Sequence, residues 1–249
     1  MILGLDTATP ATAVAVLPDD GAPVELRHEP APGERPGHAA QLLPLAQRAL
    51  EALDASFADV GRIGVGVGPG TFTGLRIGVA TARALAQSTG AELAAVSTLD
   101  ALAEPAGPER PVLAVLDARR GEAFAAAYVD GARVAGPVAI APEELPAFAE
   151  RAVAAPARAA APTAPPAPPA APTAPPAPTA APARWLAVGD GAIRFRDRLV
   201  PAADVPGDDS TLHRVSALAV CRLARAAPTV DRDALLPEYV RAPDAVPRR

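Results

Sequence analysis

Apolar and polar positions divide the chain into short strands alternating with helices, interrupted once by a long stretch with no periodicity. Met1 to Leu5 is an apolar run closed by Asp6, the turn Thr7-Ala8-Thr9-Pro10 follows, and Ala13 to Leu17 and Val24 to Arg27 read as two further strands. Leu42, Leu45, Ala46, Ala49, Leu50 and Leu53 recur at helical spacing, which predicts a helix there with Pro44 tolerated near its start. From Ile63 to Gly78 the pattern is strand, glycine turn, helix. Val65 and Val67 alternate with glycines, a strand that needs close backbone approach, and Gly68-Pro69-Gly70 forces a turn because glycine reaches positive φ and proline fixes φ. Thr71 or Thr73 is expected to cap the next helix with a hydroxyl, leaving the positive end of its dipole toward the loop.

That helix, running to Gln87, is small and apolar on nearly every side. Leu75, Val79, Ala82 and Ala86 form one stripe, Gly78, Thr81, Ala84 and Leu85 fill much of the rest, and Arg76, Arg83 and Gln87 leave a narrow polar edge. A surface helix is polar over more of its circumference, so this one is expected to be covered on two sides. Its small residues suit a second helix, from this chain or from a partner.

Leu93 to Val96 predicts another strand, and Ser97 or Thr98 caps a short helix through Ala103. The pattern then starts again: Val112 to Asp117, a four-residue turn and the strand Ala123 to Val129 repeat the opening, and Val188-Gly189-Asp190-Gly191 echoes Val67-Gly68-Pro69-Gly70. Ala132 to Ile140 is the next strand, Pro142 to Val153 a helix, and Leu212 to Ala226 a helix burying Val215, Leu218, Ala219 and Cys221 with Arg214, Arg222 and Arg225 outward. Three units are expected: a lobe over 1–108, a second lobe over 109–153 and 184–249, and an insertion over 154–183. The insertion is almost wholly alanine and proline, too rich in proline for helix or central strand, and reads as a disordered, polyproline-like tether.

Composition narrows the chemistry. Half of the 249 residues are hydrophobic, aromatics make up 3%, and all 23 basic residues are arginine. The absence of lysine excludes a Walker-type phosphate loop, a Schiff base and a lysine general base. A net charge of -5 argues against a protein that grips nucleic acid unaided. Cys221 is the single cysteine, and with His28, His38 and His213 it makes no zinc constellation. No histidine lies in a nucleophile-base motif. The opening residues show neither a signal peptide nor a membrane span, so a cytoplasmic protein is expected.

The run Gly68-Pro69-Gly70-Thr71-Phe72-Thr73-Gly74-Leu75-Arg76-Ile77-Gly78 resembles the signature of the bacterial TsaB family, the dimerisation subunit of the tRNA threonylcarbamoyladenosine complex. It is far more specific than a bare G-x-G-x-x-G. The helix from His38 with its Leu43-Pro44 pair, the segment Asp117-Ala118-Arg119 and the closing Pro237-Glu238-Tyr239-Val240-Arg241 are similar to the same family. The resemblance implies an α/β, duplicated ribonuclease H-like fold of the acetate and sugar kinase, Hsp70 and actin superfamily, in two lobes with mixed sheets flanked by helices. It implies a non-catalytic subunit with no cofactor of its own. Its expected partners are a TsaD-like catalytic paralogue, a TsaE-like ATPase, a second copy of itself when alone, and tRNA only through the complex. On the TsaD helix equivalent to that of His38 a second histidine stands four residues on; here that position is Leu42, so no metal site is implied.

The residues expected at the partner interface are Leu42, Leu45, Leu75, Arg76, Val79 and Arg83. A remnant of the superfamily's nucleotide cleft would comprise Asp6, Thr7, Gly68, Gly70, Thr71 and Asp117. In a kinase of that superfamily, the rival reading, Asp6 and Asp117 would hold magnesium through water. Ala8 stands where such kinases carry a glycine beside the first aspartate, and Gly189-Asp190-Gly191 falls short of the usual glycine triplet. Both aspartates read first as turn caps. A scaffold outside tRNA modification is the third reading.

Overall fold

A computed structural model describes residues 1–31, 33–154, 184–200 and 202–241, without the side chains of 153 and 154. The Ala/Pro-rich tether lies outside the described residues apart from Ala154.

The chain folds as two copies of one five-stranded pattern. In the first lobe β1 (Ile2–Asp6), β2 (Thr12–Leu17), β3 (Val24–His28), β4 (Arg62–Gly68) and β5 (Glu92–Ser97) lie in the order β3-β2-β1-β4-β5. In the second, β6 (Val112–Asp117), β7 (Ala123–Val129), β8 (Ala132–Ile140), β9 (Trp185–Val188) and β10 (Ala203–Asp204) lie in the order β10-β9-β6-β7-β8. Each lobe makes an antiparallel meander of three strands and adds two parallel ones beside the first. The duplication read from the two aspartate-ended strands therefore extends to every strand.

The two sheets stack in layers. On one face of the first sheet lie α1 (His38–Glu51) and α2 (Phe72–Thr89), packed on Leu3, Leu5, Ile63, Val65 and Val67. Its other face and the inner face of the second sheet share one core with α3 (Thr98–Ala103) and α7 (Ala217–Ala226). The outer face of the second sheet is covered by α4 (Leu145–Ala154), α5 (Asp190–Arg194) and α6 (Arg196–Leu199).

Glycines decide how close α7 comes. Gly4 and Gly64 are register partners on β1 and β4, and they turn the same face toward α7. A Cβ on Gly64 would stand 2.5 Å from the Cβ of Ala224, and one on Gly4 would collide with the Ala217 carbonyl and 2.6 Å from the Cys221 sulfur. The close backbone approach predicted for the Val-Gly alternation is therefore the approach of α7, while the valines face α1 and α2.

Three expectations are corrected. The helix expected from Leu212 begins at Ala217: Thr211–His213 is a single 3-10 turn, Arg214 is extended, and Ser216 starts the helix by accepting a 3.1 Å bond from the Ala219 amide. Glu25 of β3 accepts from the Ala217 amide at 2.6 Å, a cap supplied from a distant strand and invisible to local pattern. Residues 217–226, expected with the second lobe, pack on the first sheet instead, because that face carries the glycine groove. Finally, Thr71 is the residue before α2 but its hydroxyl makes no capping bond; its amide is held instead by the Ala8 carbonyl at 2.7 Å. Pro44 sits seven residues into α1, on the exposed side next to exposed Ala40, whose carbonyl loses its helical partner to solvent rather than to the core.

Candidate functional site

The glycine signature is a packing surface for the β1–β2 turn. A Cβ on Gly70 would stand 2.5 Å from the Ala8 carbonyl, one on Gly78 2.5 Å from the Thr7 hydroxyl, and one on Gly74 would collide with the Thr7 carbonyl. In return the Thr7 hydroxyl donates to the Gly74 carbonyl at 2.8 Å. The start of α2 is thus clamped on Thr7 and Ala8, both fully enclosed.

That clamp closes over the residues expected at a nucleotide cleft. Asp6 is 1% exposed; its Oδ1 accepts from the Ala8 amide at 3.0 Å and its Oδ2 lies 3.5 Å from the Thr98 hydroxyl. Burial pushes its carboxyl up to about 6, against the lowering effects of the Ala8 amide, the Arg27 charge and the Thr98 hydroxyl. Gly68 is covered by the carbonyl of Glu238. At the equivalent strand end Asp117 accepts from the Arg119 amide at 2.9 Å, and its other oxygen from the guanidiniums of Arg194 and Arg119. Both aspartates cap their own turns, as the sequence suggested. The superfamily's magnesium does not fit these residues, since one carboxylate is sealed and the other is saturated by arginines. Asp6, Thr7, Gly68, Gly70, Thr71 and Asp117 do not come together as one open cleft.

The open surface lies on the outer side of α2. Of the six residues expected at a partner interface, Leu42, Leu45, Leu75 and Val79 are buried at 4% exposure or less in the chain's own core, a correction that follows from the first sheet's apolar face claiming that stripe. Arg76 and Arg83 do reach the surface. Between them runs a groove lined by Ala80, Ala84, Gln87, Leu236 and Pro237. Leu236, 62% exposed, lines it, and Phe72 at 47% and Tyr239 at 41% stand against Arg76 at its edge; Leu43 of α1 is also exposed, at 47%. The sequence signal for this face was available in the exposed complement of the buried stripe, Phe72, Ala80 and Ala84.

The C-terminal segment forms the rim. Glu238 donates its amide to the Val67 carbonyl at 2.7 Å and Val230 to the Leu93 carbonyl at 2.8 Å. Tyr239 stacks on Phe72 with ring centroids 5.3 Å apart, and Arg76 lies 3.8 Å over the other ring and donates to the Tyr239 hydroxyl. Arg83 pairs with Asp233 at 2.9 Å. Tyr239→Ala is expected to cost only about 1 kcal/mol, the worth of one partly exposed aromatic pair. Hydrogen exchange should then show the Glu238 amide losing protection while that of Val230 keeps it; equal loss at both would mean that the segment is held elsewhere.

His38, the lone histidine of the α1 start, is 3% exposed and shares a 2.9 Å bond between its Nδ1 and the Thr12 hydroxyl. Burial, then the neighbouring His28, hold its pKa below the usual histidine value. It joins α1 to β2, a structural post.

A family model described as tRNA N6-adenosine threonylcarbamoyltransferase matches residues 34–199. The Escherichia coli tRNA threonylcarbamoyladenosine biosynthesis protein TsaB is 41% identical over 98 residues, 39% of this chain and 40% of that protein. The chain belongs to this family, in its TsaB group. An uncharacterized protein of Mycobacterium leprae is 34% identical over 145 residues, 58% of this chain and 40% of that one. The chain therefore spans about 40% of the length of each of these two curated relatives. Among solved structures, YeaZ from Pseudomonas aeruginosa superimposes with a TM-score of 0.69 at 26% identity, covering 96% of this chain and 98% of that one. The TsaB-group fold is thus matched across both lobes, and the duplicated α/β architecture is that of the family. Among the described residues no helix is long and apolar enough to cross a membrane.

Proposed function

We propose that this chain takes part in threonylcarbamoyladenosine synthesis on tRNA as a non-catalytic, cytoplasmic subunit. It pairs through the outer face of α2, with Leu43 of α1 and the Tyr239 segment, with a TsaD-like catalytic paralogue. The paralogue transfers the threonylcarbamoyl group to N6 of adenosine 37 in tRNAs that decode ANN codons. A TsaE-like ATPase joins the pair, and nucleotide and metal belong to those partners. The observation that carries this reading is the contrast between the sealed aspartate and the open face: Asp6 is shut in its own turn, whereas Phe72, Leu236 and Tyr239 lie exposed beside a groove lined by Ala80 and Ala84 among charged side chains. Clustered exposed apolar side chains around such a groove favour association with another protein.

Reconstitution tests it. Purified TsaD and TsaE partners, the adenylate-forming synthase, ATP, threonine, bicarbonate and an unmodified ANN-decoding tRNA are incubated with or without this chain, and nucleosides are scored by mass spectrometry. Product is expected only with the chain present. Ala84→Arg, an exposed position lining the groove, should abolish it without lowering the melting temperature. Equal product without the chain would sink the reading.

A further inference from the structure

The two lobes repeat the same aspartate-capped turn, but they treat it oppositely. In the first lobe the turn Thr7–Pro10 is pressed beneath Gly70 and beneath Gly74 and Gly78 of the 18-residue helix that follows it. In the second, the helix that follows β9 in the same place has five residues, and Arg119, Arg120 and Gly121 of the turn are exposed, with Ala118 alone buried.

This open turn holds three successive residues in the left-handed region: Arg119 at φ 64°, Arg120 at φ 54° and Gly121 at φ 83°. Only the third is glycine. A left-handed arginine costs about 1 kcal/mol or more that a glycine would avoid, so strain is retained where arginine side chains stand. Asp117, whose side chain is 7% exposed, orients two guanidiniums through a single oxygen, Arg194 at 2.7 Å and Arg119 at 3.3 Å. Asp190 stands beside them as a second carboxylate, accepting from the Asp117 amide at 3.0 Å, so the two guanidiniums are offset in charge but not in hydrogen-bonding capacity. The pair stays half open to solvent, 57% for Arg119 and 49% for Arg194. Each guanidinium carries five N–H donors in a planar fork, and the shared carboxylate oxygen occupies few of them.

We propose that Arg119 and Arg194, set by Asp117, form a contact site for the phosphodiester backbone of RNA. The inference rests on the tRNA-modification reading above and adds a direct hold on the RNA by this chain, which its overall charge of -5 does not suggest. A surface pair of forks suits a backbone phosphate. A free nucleotide would need a cavity enclosing most of its surface, and none of the described cavities is lined by Arg119 or Arg194.

The test uses the full chain and fluorescence anisotropy with two labelled, unmodified tRNA transcripts, one decoding an ANN codon and one not, between low and moderate salt. Arg119→Asn removes the guanidinium while keeping a residue that tolerates the left-handed turn. Arg194→Ala and the double variant follow, and Arg198→Ala on α6 is the control. Each site variant should bind both tRNAs roughly fivefold more weakly, with the log-log salt slope shallower by about 1, and the control should match the wild type. A purely structural role would lower the melting temperature and leave the salt slope unchanged. Arg119→Gly sharpens the contrast: it should melt no lower than the wild type and still bind RNA more weakly. Wild-type binding that is undetectable, or variants indistinguishable from it, would overturn the proposal, as would displacement of the RNA by ATP but not by inorganic phosphate at equal ionic strength. Failure of the modification role would register only in the reconstitution, since the phosphate contact is expected on either tRNA.

Discussion

Gly74→Ala is expected to destabilise the chain by about 3 to 5 kcal/mol, although helix propensity alone predicts a gain of about 1 kcal/mol for that substitution. The sign is therefore the test. A methyl on Gly74 would collide with the Thr7 carbonyl, a backbone atom that cannot swing aside, and would also meet the Thr71 hydroxyl at 2.6 Å. Relief requires α2 to lift from the β1–β2 turn, which breaks the 2.8 Å bond from Thr7 to the Gly74 carbonyl and the 2.7 Å bond from the Thr71 amide to Ala8. Urea unfolding of the purified variant measures it directly. A midpoint equal to or above that of the wild type would mean that the helix start is not clamped.

Asp6→Asn should act in the other direction. The folded-state pKa of Asp6 is raised to about 6 from an ordinary 3.8, chiefly by burial. A raised carboxyl binds its proton more tightly folded than unfolded, so its contribution to stability is complete below pH 3.8 and is lost as pH rises through 6. At neutral pH the charged carboxylate is a net cost of up to about 3 kcal/mol. Asparagine keeps an oxygen for the Ala8 amide and carries no charge, so the variant should be more stable than the wild type above pH 6. The advantage should shrink steadily below that and vanish near pH 4. Thermal melts of both proteins across that range are the measurement, and a pH-independent difference would mean that hydrogen bonding, not charge burial, sets the effect.

Much of this architecture was legible from periodicity. The glycine signature announced a turn and a tightly packed helix, and two aspartate-ended strands were enough to propose the duplication that the ten strands among the described residues then show. What escaped were features set by distant parts of the chain. The start of α7 is fixed by Ser216 and by Glu25, 192 residues from the amide it caps, so the apolar period alone extended the helix five residues too far. The interface stripe failed for a similar reason. Leu75 and Val79 share their stripe with Gly78, Ala82 and Ala86, and the chain's own sheet covers that stripe, leaving alanines, Phe72 and Arg76 to the outside. Apolarity along a helix reports burial, not who does the burying. Beside the first aspartate, residue identity carried a packing signal: Ala8, where such kinases carry glycine, is the residue on which Gly70 rests.

The position of α7 has a consequence for how the protein is made. Its residues 217–226 are synthesised after both sheets, yet they fill the groove over Gly4 and Gly64 in strands laid down first. Until they emerge from the ribosome, the inner face of the first sheet has no helix to cover that groove, so the first lobe cannot reach its native state ahead of the second. The two halves look like duplicated modules, but their last helix ties them into one folding unit whose earliest strands wait for its late residues.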